Sequence, residues 1–290
     1  MMKKIRKAVI PIAGMGTRFL PVTKSIPKEM LPIVNIPTIE YIVREAVSSG
    51  IEEILFITSP YKNSVIDHFD RSYELENRLL KSNKEDAANK VSELSKLAKF
   101  YAIRQGEPLG SGHAVLLARD FIGDEPFAVM YGDDIVKGKS ALKELVDVYE
   151  KTGSNVIGTY EVKYEDTYKY GIIEYADEKT KKIGRIIEKP KIEEAPSTRA
   201  GLGRYILNPS IFDVLEKIPR TNNNEFQLTD AMLKLMETED FYEAPFSGVY
   251  YDIGGHLGYI KANIAYALDR EDIKSELLEY MKDIVKNTTN

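Results

Sequence analysis

The chain has 290 residues, enough for one large α/β domain or two small ones, and it contains no cysteine. Disulfides, thiolate zinc sites and a cysteine nucleophile are therefore excluded, and the three dispersed histidines, His68, His113 and His256, do not suit a multi-histidine metal site. A net charge of −5, from 40 basic and 45 acidic side chains, argues against nonspecific nucleic-acid binding as the main activity.

The charge is uneven. Residues 1–28 carry Lys3, Lys4, Arg6, Lys7, Arg18, Lys24 and Lys28 and no acid. This start does not fit a signal peptide, because its apolar run is short, is interrupted by Pro11 and leads into glycine-rich, charged sequence. No apolar stretch approaches the roughly 18 residues of a membrane span, so a soluble cytoplasmic protein is expected.

Apolar, β-branched runs at Lys7–Ala13, Glu53–Ser59, Phe100–Arg104 and Pro126–Tyr131 predict strands covered on both faces. Helical patterns lie between and after them at Ile39–Ser48, Ser64–Phe69, Ser111–Ala118 and Ala141–Lys151. The alternation predicts an α/β fold with a Rossmann-like, mostly parallel central sheet flanked by helices. Residues 70–98 are charged and helix-prone and read as a surface helical excursion. After about residue 154, strands come at closer spacing, at Val156–Val162, Gly171–Tyr175, Ile183–Glu188 and Leu202–Leu207. They predict a second, smaller sheet region inserted into or beside the first. Helices at Ile211–Lys217 and Phe226–Met236, a strand near Gly248–Tyr251 and helical sequence from His256 to Lys286 close the chain. With no repeat and no Gly/Ser-rich or Pro-rich linker, a single domain is expected, with lobes at about 1–135 and 136–255 and a helical segment at 256–290.

Directly after the first strand stands Gly14-Met15-Gly16-Thr17-Arg18. Two glycines let backbone N–H groups approach a phosphate, although a tight strand–helix turn would use the same residues. A dinucleotide fingerprint needs a small residue where Phe19 stands and an acid where Thr58 and Ser59 stand; a Walker loop needs Lys-Ser/Thr where Thr17-Arg18 stands. Both patterns are absent, and the missing dinucleotide fingerprint argues against a nicotinamide enzyme. Arg18, Lys24 and Lys28 lie in a stretch punctuated by Pro21, Pro27 and Pro32, which cannot be one helix. A stiff loop carrying cations suits a triphosphate or pyrophosphate; a solvated basic loop is the plainer alternative. Gly132-Asp133-Asp134 reads either as a strand-end carboxylate site for a hard cation or as a turn, and Glu188-Lys189-Pro190 by itself reads as a surface pair before a turn.

The segment GMGTRFLPVTKSIPKEMLPIVNIPTIEYIV resembles the start of the bacterial UTP–glucose-1-phosphate uridylyltransferases, in the sugar-nucleotidyltransferase superfamily. The resemblance runs on through RQGEPLGSGHAV, GDEPFAVMYGDDIV, EKP, GRYIL, EFQLTDA and YDIGGHLGY. It implies Mg²⁺-dependent transfer of uridylyl from UTP to glucose 1-phosphate, giving UDP-glucose and pyrophosphate. By resemblance, Arg18, Lys28 and Lys189 are catalytic, stabilising the triphosphate and holding the nucleophile. Ala13, Gly14, Gly16, Thr17, Glu29, Gln105, Gly110 and Gly132 serve the nucleotide, with Gln105 suited to the imide edge of uracil. Gly171, Glu188, Lys189, Gly203 and Glu225 serve the sugar, with Arg204 a weaker candidate, and Asp133 and Asp252 hold the metal, with Asp133 preferred over Asp134. The lobe at 1–135 then takes the nucleotide and that at 136–255 the sugar. His113 is assigned to packing or capping, since the attacking phosphate is already ionised. A homodimer or homotetramer is implied, with neither nucleic acid nor membrane as a partner. Met15, Ser111 and Thr221–Asn224 depart from the pattern, the last bearing on acceptor choice. Thymidylyl transfer or another hexose phosphate would keep the same chemistry. A non-catalytic sugar-nucleotide sensor would be favoured by loss of Arg18, Lys28, Asp133 or Lys189, and all four are present.

Overall fold

In the computed structural model, residues 3–220 and 225–288 are described; the Thr221–Asn224 departure lies outside them. The strands in chain order are β1 (Lys7–Pro11), β2 (Pro32–Ile33), β3 (Ile36–Pro37), β4 (Glu53–Thr58), β5 (Lys99–Arg104), β6 (Phe127–Met130) and β7 (Asp134–Lys137). They continue with β8 (Asn155–Glu161), β9 (Gly171–Asp177), β10 (Lys182–Glu188), β11 (Arg199–Leu207), β12 (Phe241–Pro245) and β13 (Val249–Asp252). Nine of them form one sheet in the order β5-β4-β1-β6-β11-β8-β12-β10-β9.

Strand residues alternate between two cores, as the period of two requires. Val9, Leu55, Phe127 and Val129 face helices Ser111–Leu116, Ile211–Leu215 and Leu228–Leu235. Ala8, Ile10, Ile54, Phe56, Ala128 and Met130 face helices Thr38–Ser48, Asn63–Phe69 and Ala141–Thr152. Both faces are apolar, which explains why β1, β4 and β6 show no polar alternation. Helix Ala141–Thr152 shows how local chemistry sets an element. Ser140 Oγ accepts from the Lys143 N–H at 3.1 Å, Leu142, Leu145, Val146 and Tyr149 supply the buried stripe, and Gly153 ends the helix at φ 67°.

The sheet is mixed, which corrects the expectation of a mostly parallel one. β5, β4, β1 and β6 are mutually parallel, but β11 runs antiparallel to both β6 and β8, and β10 runs antiparallel to β12 and β9. The later strands also join the first sheet and do not make a second one. Apolar runs report burial and carry no information on strand direction, so this was outside their reach. β5 is a further correction: expected to be covered on both faces, it lies at the sheet edge and is largely exposed. The C-terminal helical stretch is two helices, His256–Ala267 and Lys274–Thr288, and the second buries no residue.

The small β7–β13 ladder has the largest consequence for function. It runs antiparallel with Asp134 opposite Asp252, bringing residues far apart in the chain side by side. Neither β7 nor β12 was predicted.

Candidate active site

β1 and β6 are adjacent and parallel, so the segments that follow them emerge at the same edge of the sheet. Open α/β sheets bind ligands beyond such carboxyl ends. After β1, Gly16 adopts φ 66°, a left-handed conformation that glycine tolerates, and the chain enters three short 3₁₀ turns at Thr17–Phe19, Val22–Lys24 and Lys28–Met30. The loop is fastened to the C-terminal segment. Phe19 packs 4.8 Å from the His256 ring and 5.5 Å from Tyr259, and Arg18 Nη1 donates to the Gly254 carbonyl at 3.1 Å.

Lys28 Nζ donates to Asp133 Oδ2 at 2.6 Å. Burial alone would lower the Lys28 pKa, but Asp133 and Glu29 outweigh it and the net shift is upward. Burial would likewise raise Asp133, and Lys28 outweighs it, so the carboxylate stays ionised. Next along the loop, Glu29 is fully buried and accepts from Lys62 Nζ at 2.8 and 2.7 Å. Four charges of alternating sign therefore hold the loop against the ends of β4 and β6.

Asp133 and Asp134 are adjacent but differ in role. Asp134 accepts from Tyr250 OH at 2.6 Å and from the Gly203 N–H at 3.1 Å, turning both oxygens inward. Burial and the neighbouring Asp133 push its pKa up to about 6. Asp133 turns toward Asp252. A Cβ built on Gly254 would lie 3.0 Å from Asp133 Oδ2, 3.1 Å from Asp252 Oδ1 and 3.3 Å from Arg18 Nη1. Two carboxylates and a guanidinium thus surround one small space. Among the described residues no cluster of three or more His, Cys, Asp or Glu is placed to hold a metal. Two carboxylate oxygens nevertheless fit a hard cation that draws its remaining ligands from phosphates and water.

Two cavities adjoin here. One, of about 330 Å³, is lined by Arg18, Asp133, Asp252, Gly171, Glu188 and Gly203, with Lys169, Gln227 and Tyr250 among its other walls. The second, of about 280 Å³, is lined by Ala13, Gly14, Lys28, Glu29, Gln105, Gly110 and Glu225. Ser111, Tyr131 and Asp133 line both. Burial, partly offset by Lys189, raises the Glu188 pKa.

Not every residue expected at the site reaches a wall. Gly16, Thr17, Gly132 and Lys189 line neither cavity. A Cβ added to Gly132 would lie 3.1 Å from Ile12 and 3.4 Å from Glu29, and Lys189 stands at the rim beside the wall residue Glu188, 65% exposed, with a positive φ of 46°. Glu225, expected on the sugar side, sits in the smaller cavity with Gln105 and Gly110, while Gln227 takes the larger one. Arg204 is corrected outright. It is fully buried, pairs with Glu45 at 2.9 Å and donates to the Asp134 carbonyl at 2.6 Å, so it braces the turn from behind. Lys62, Tyr131, Gln227 and Gly254 were missed. Lys62 had a usable signal, since it follows the carboxyl end of a strand already located at Glu53–Ser59.

A family model described as nucleotidyl transferase matches residues 7–268. The chain belongs to the nucleotidyl transferase family. This nucleotidyl transferase is 50% identical over 292 residues to the Bacillus subtilis (strain 168) protein named UTP–glucose-1-phosphate uridylyltransferase YngB, covering 100% of this chain and 98% of that protein. A solved structure titled UTP-bound UGPase from Acinetobacter baumannii superposes with a TM-score of 0.89 at 37% identity, over 96% of this chain and 98% of that one. Another, of UDP-glucose pyrophosphorylase complexed with UDP-glucose, superposes with a TM-score of 0.82 at 40% identity, over 92% and 100%. Both support an α/β nucleotidyltransferase fold for this chain. No helix among the described residues is long and apolar enough to cross a membrane.

Proposed function

We propose that this nucleotidyl transferase joins UTP and α-D-glucose 1-phosphate to give UDP-glucose and pyrophosphate. The observation that carries the reading is the pair of adjoining cavities that share Asp133, with Lys28 on one side and Arg18 on the other. The full-length likeness to proteins named for this reaction supports it.

The smaller cavity takes the nucleotide and the larger one the sugar. The lobes stay at about 1–135 for the nucleotide and 136–255 for the sugar, with Arg18 and Asp133 also reaching the larger cavity and Glu225 the smaller. The attacking sugar phosphate and the α-phosphorus of the triphosphate then meet at the shared wall. An oxygen of glucose 1-phosphate bonds to the α-phosphorus of UTP as the bond to the bridging oxygen breaks, and pyrophosphate leaves with that electron pair. No covalent enzyme intermediate is needed, and holding two anions in line is most of the task. Arg18 and Lys28 offset charge on the triphosphate and the leaving pyrophosphate. Glu188 accepts from sugar hydroxyls, and Lys189 at the rim reaches the sugar phosphate once it is bound. Asp133 and Asp252 would hold Mg²⁺, which supplies charge neutralisation at the phosphate oxygens. Backbone of Ala13 and Gly14, with Gln105 and Gly110, receives the base. A cytoplasmic homodimer or homotetramer completes the reading.

The test is pyrophosphate release by purified protein with Mg²⁺, comparing UTP with dTTP and glucose 1-phosphate with other hexose 1-phosphates. UTP with glucose 1-phosphate should turn over fastest. Binding of UDP-glucose without pyrophosphate release from any pair would make the chain a sensor, and faster turnover of another pair would reassign the substrates.

A further inference from the structure

Gln105 follows the carboxyl end of β5, and its side chain lies on the wall of the smaller cavity. Its amide nitrogen is 3.2 Å from the Gly110 carbonyl oxygen and 3.0 Å from His113 Nδ1. A carbonyl oxygen only accepts, so the Gln105 atom facing Gly110 is the NH₂ group. One of its hydrogens serves Gly110. The other is directed to His113, whose Nδ1 then carries a lone pair and whose ring proton sits on Nε2. Burial, reinforced by Arg220 and opposed by Glu107, lowers the His113 pKa and keeps the ring neutral. With both amide hydrogens engaged, Gln105 offers a ligand only its carbonyl oxygen.

We infer that His113 is a specificity-determining positioning residue, which fixes the Gln105 amide so that the base pocket accepts a hydrogen bond from a pyrimidine N3–H. Uracil and thymine carry that hydrogen. Cytosine presents a lone pair at N3, which would face the Gln105 oxygen with no hydrogen between them. A site built around a buried polar partner rejects the base that cannot supply it. The inference rests on the reading of the smaller cavity as the base pocket, and it adds a residue that touches neither substrate.

The experiment measures kcat/KM for UTP and CTP, each with glucose 1-phosphate, in the full chain. It compares the wild type with His113→Leu, His113→Phe, His113→Asn and Gln105→Leu, with thermal melting as the folding control. Losing the acceptor in His113→Leu leaves the amide held by Gly110 alone, with one hydrogen released toward the base, and should lower the UTP:CTP preference roughly tenfold. His113→Phe keeps ring volume without an acceptor and should give the same loss. His113→Asn, whose Oδ1 stands near the Nδ1 position, should restore the preference. An unchanged ratio in a folded Leu or Phe variant, or an Asn variant no better than they are, overturns the inference. If Gln105→Leu raises the KM for UTP while the His113 variants keep the ratio, the base pocket stands and the orienting role fails. If Gln105→Leu leaves that KM unchanged, the pocket assignment fails and takes the inference with it.

Discussion

Lys62→Met tests whether the basic loop is held by a buried charge pair. Lys62 and Glu29 are 6% and 0% exposed at their side chains, and the ammonium meets both carboxylate oxygens. Removing one member of such a pair leaves the other charge buried without its partner, at a cost of about 3–5 kcal/mol. For a domain of this size, that corresponds to a melting temperature lower by roughly 6–20 °C. The loss should depend on pH. Burial already raises the Glu29 pKa against the opposing pull of Lys62 and Lys28, and removing Lys62 takes it higher still. A carboxyl whose folded pKa exceeds its unfolded value of about 4.3 costs stability as pH rises past that value. The deficit should therefore be larger at pH 8 than at pH 5. Adding Glu29→Gln removes the stranded charge and should recover at least half of the loss. Differential scanning calorimetry of the two variants across this range is the assay. A loss below about 1 kcal/mol, the value of an exposed pair, or a deficit independent of pH, would refute the reasoning.

Asp133→Asn should lower turnover by roughly two orders of magnitude or more and flatten the acid limb of stability. The Asp133 pKa lies below its ordinary value, so the stability its charge contributes is full above about pH 4 and lost as pH falls through the lowered folded value; melts from pH 7 down to acid read this out. Gly110→Ala would place a Cβ 2.5 Å from the Phe226 carbonyl oxygen at φ +93°, and should cost about 2 kcal/mol or more in urea unfolding. An unshifted unfolding midpoint contradicts that. Lys189→Ala should cut turnover while leaving the melting temperature unchanged, because the side chain is exposed at the rim; undiminished turnover removes its assigned role. Chelation of divalent cations should abolish pyrophosphate release and added Mg²⁺ restore it, with Asp252→Asn raising the half-saturating Mg²⁺ concentration roughly tenfold.

Legibility divided by distance along the chain. The turn after β1 could be read directly, since Gly14, Gly16, Arg18 and the prolines act on their own neighbourhood. Ala13, Gly14 and Gln105 do share a cavity, although they come from two strand ends. The placement of Glu225 and Arg204 was not legible, because a charged residue beside a glycine or a helix start looks alike whether it faces solvent, a cavity or a buried partner. Lys189 shows the converse, a residue named by its motif that stands at the rim.

By itself the sequence determined every strand of the central sheet except β12, the helices that cover them and an acid-free, proline-stiffened basic loop at the end of the first strand. These depend on residue period, backbone sterics and charge within short windows. Tertiary structure alone decided that the sheet is mixed and that Asp252 stands beside Asp133. It also decided that Lys62 pairs with Glu29 and that the Gln105 amide nitrogen faces both Gly110 and His113. Each of these joins segments tens of residues or more apart, or depends on which of several polar atoms faces another. Local periodicity does not encode such pairings; packing the sheet and its helices selects them.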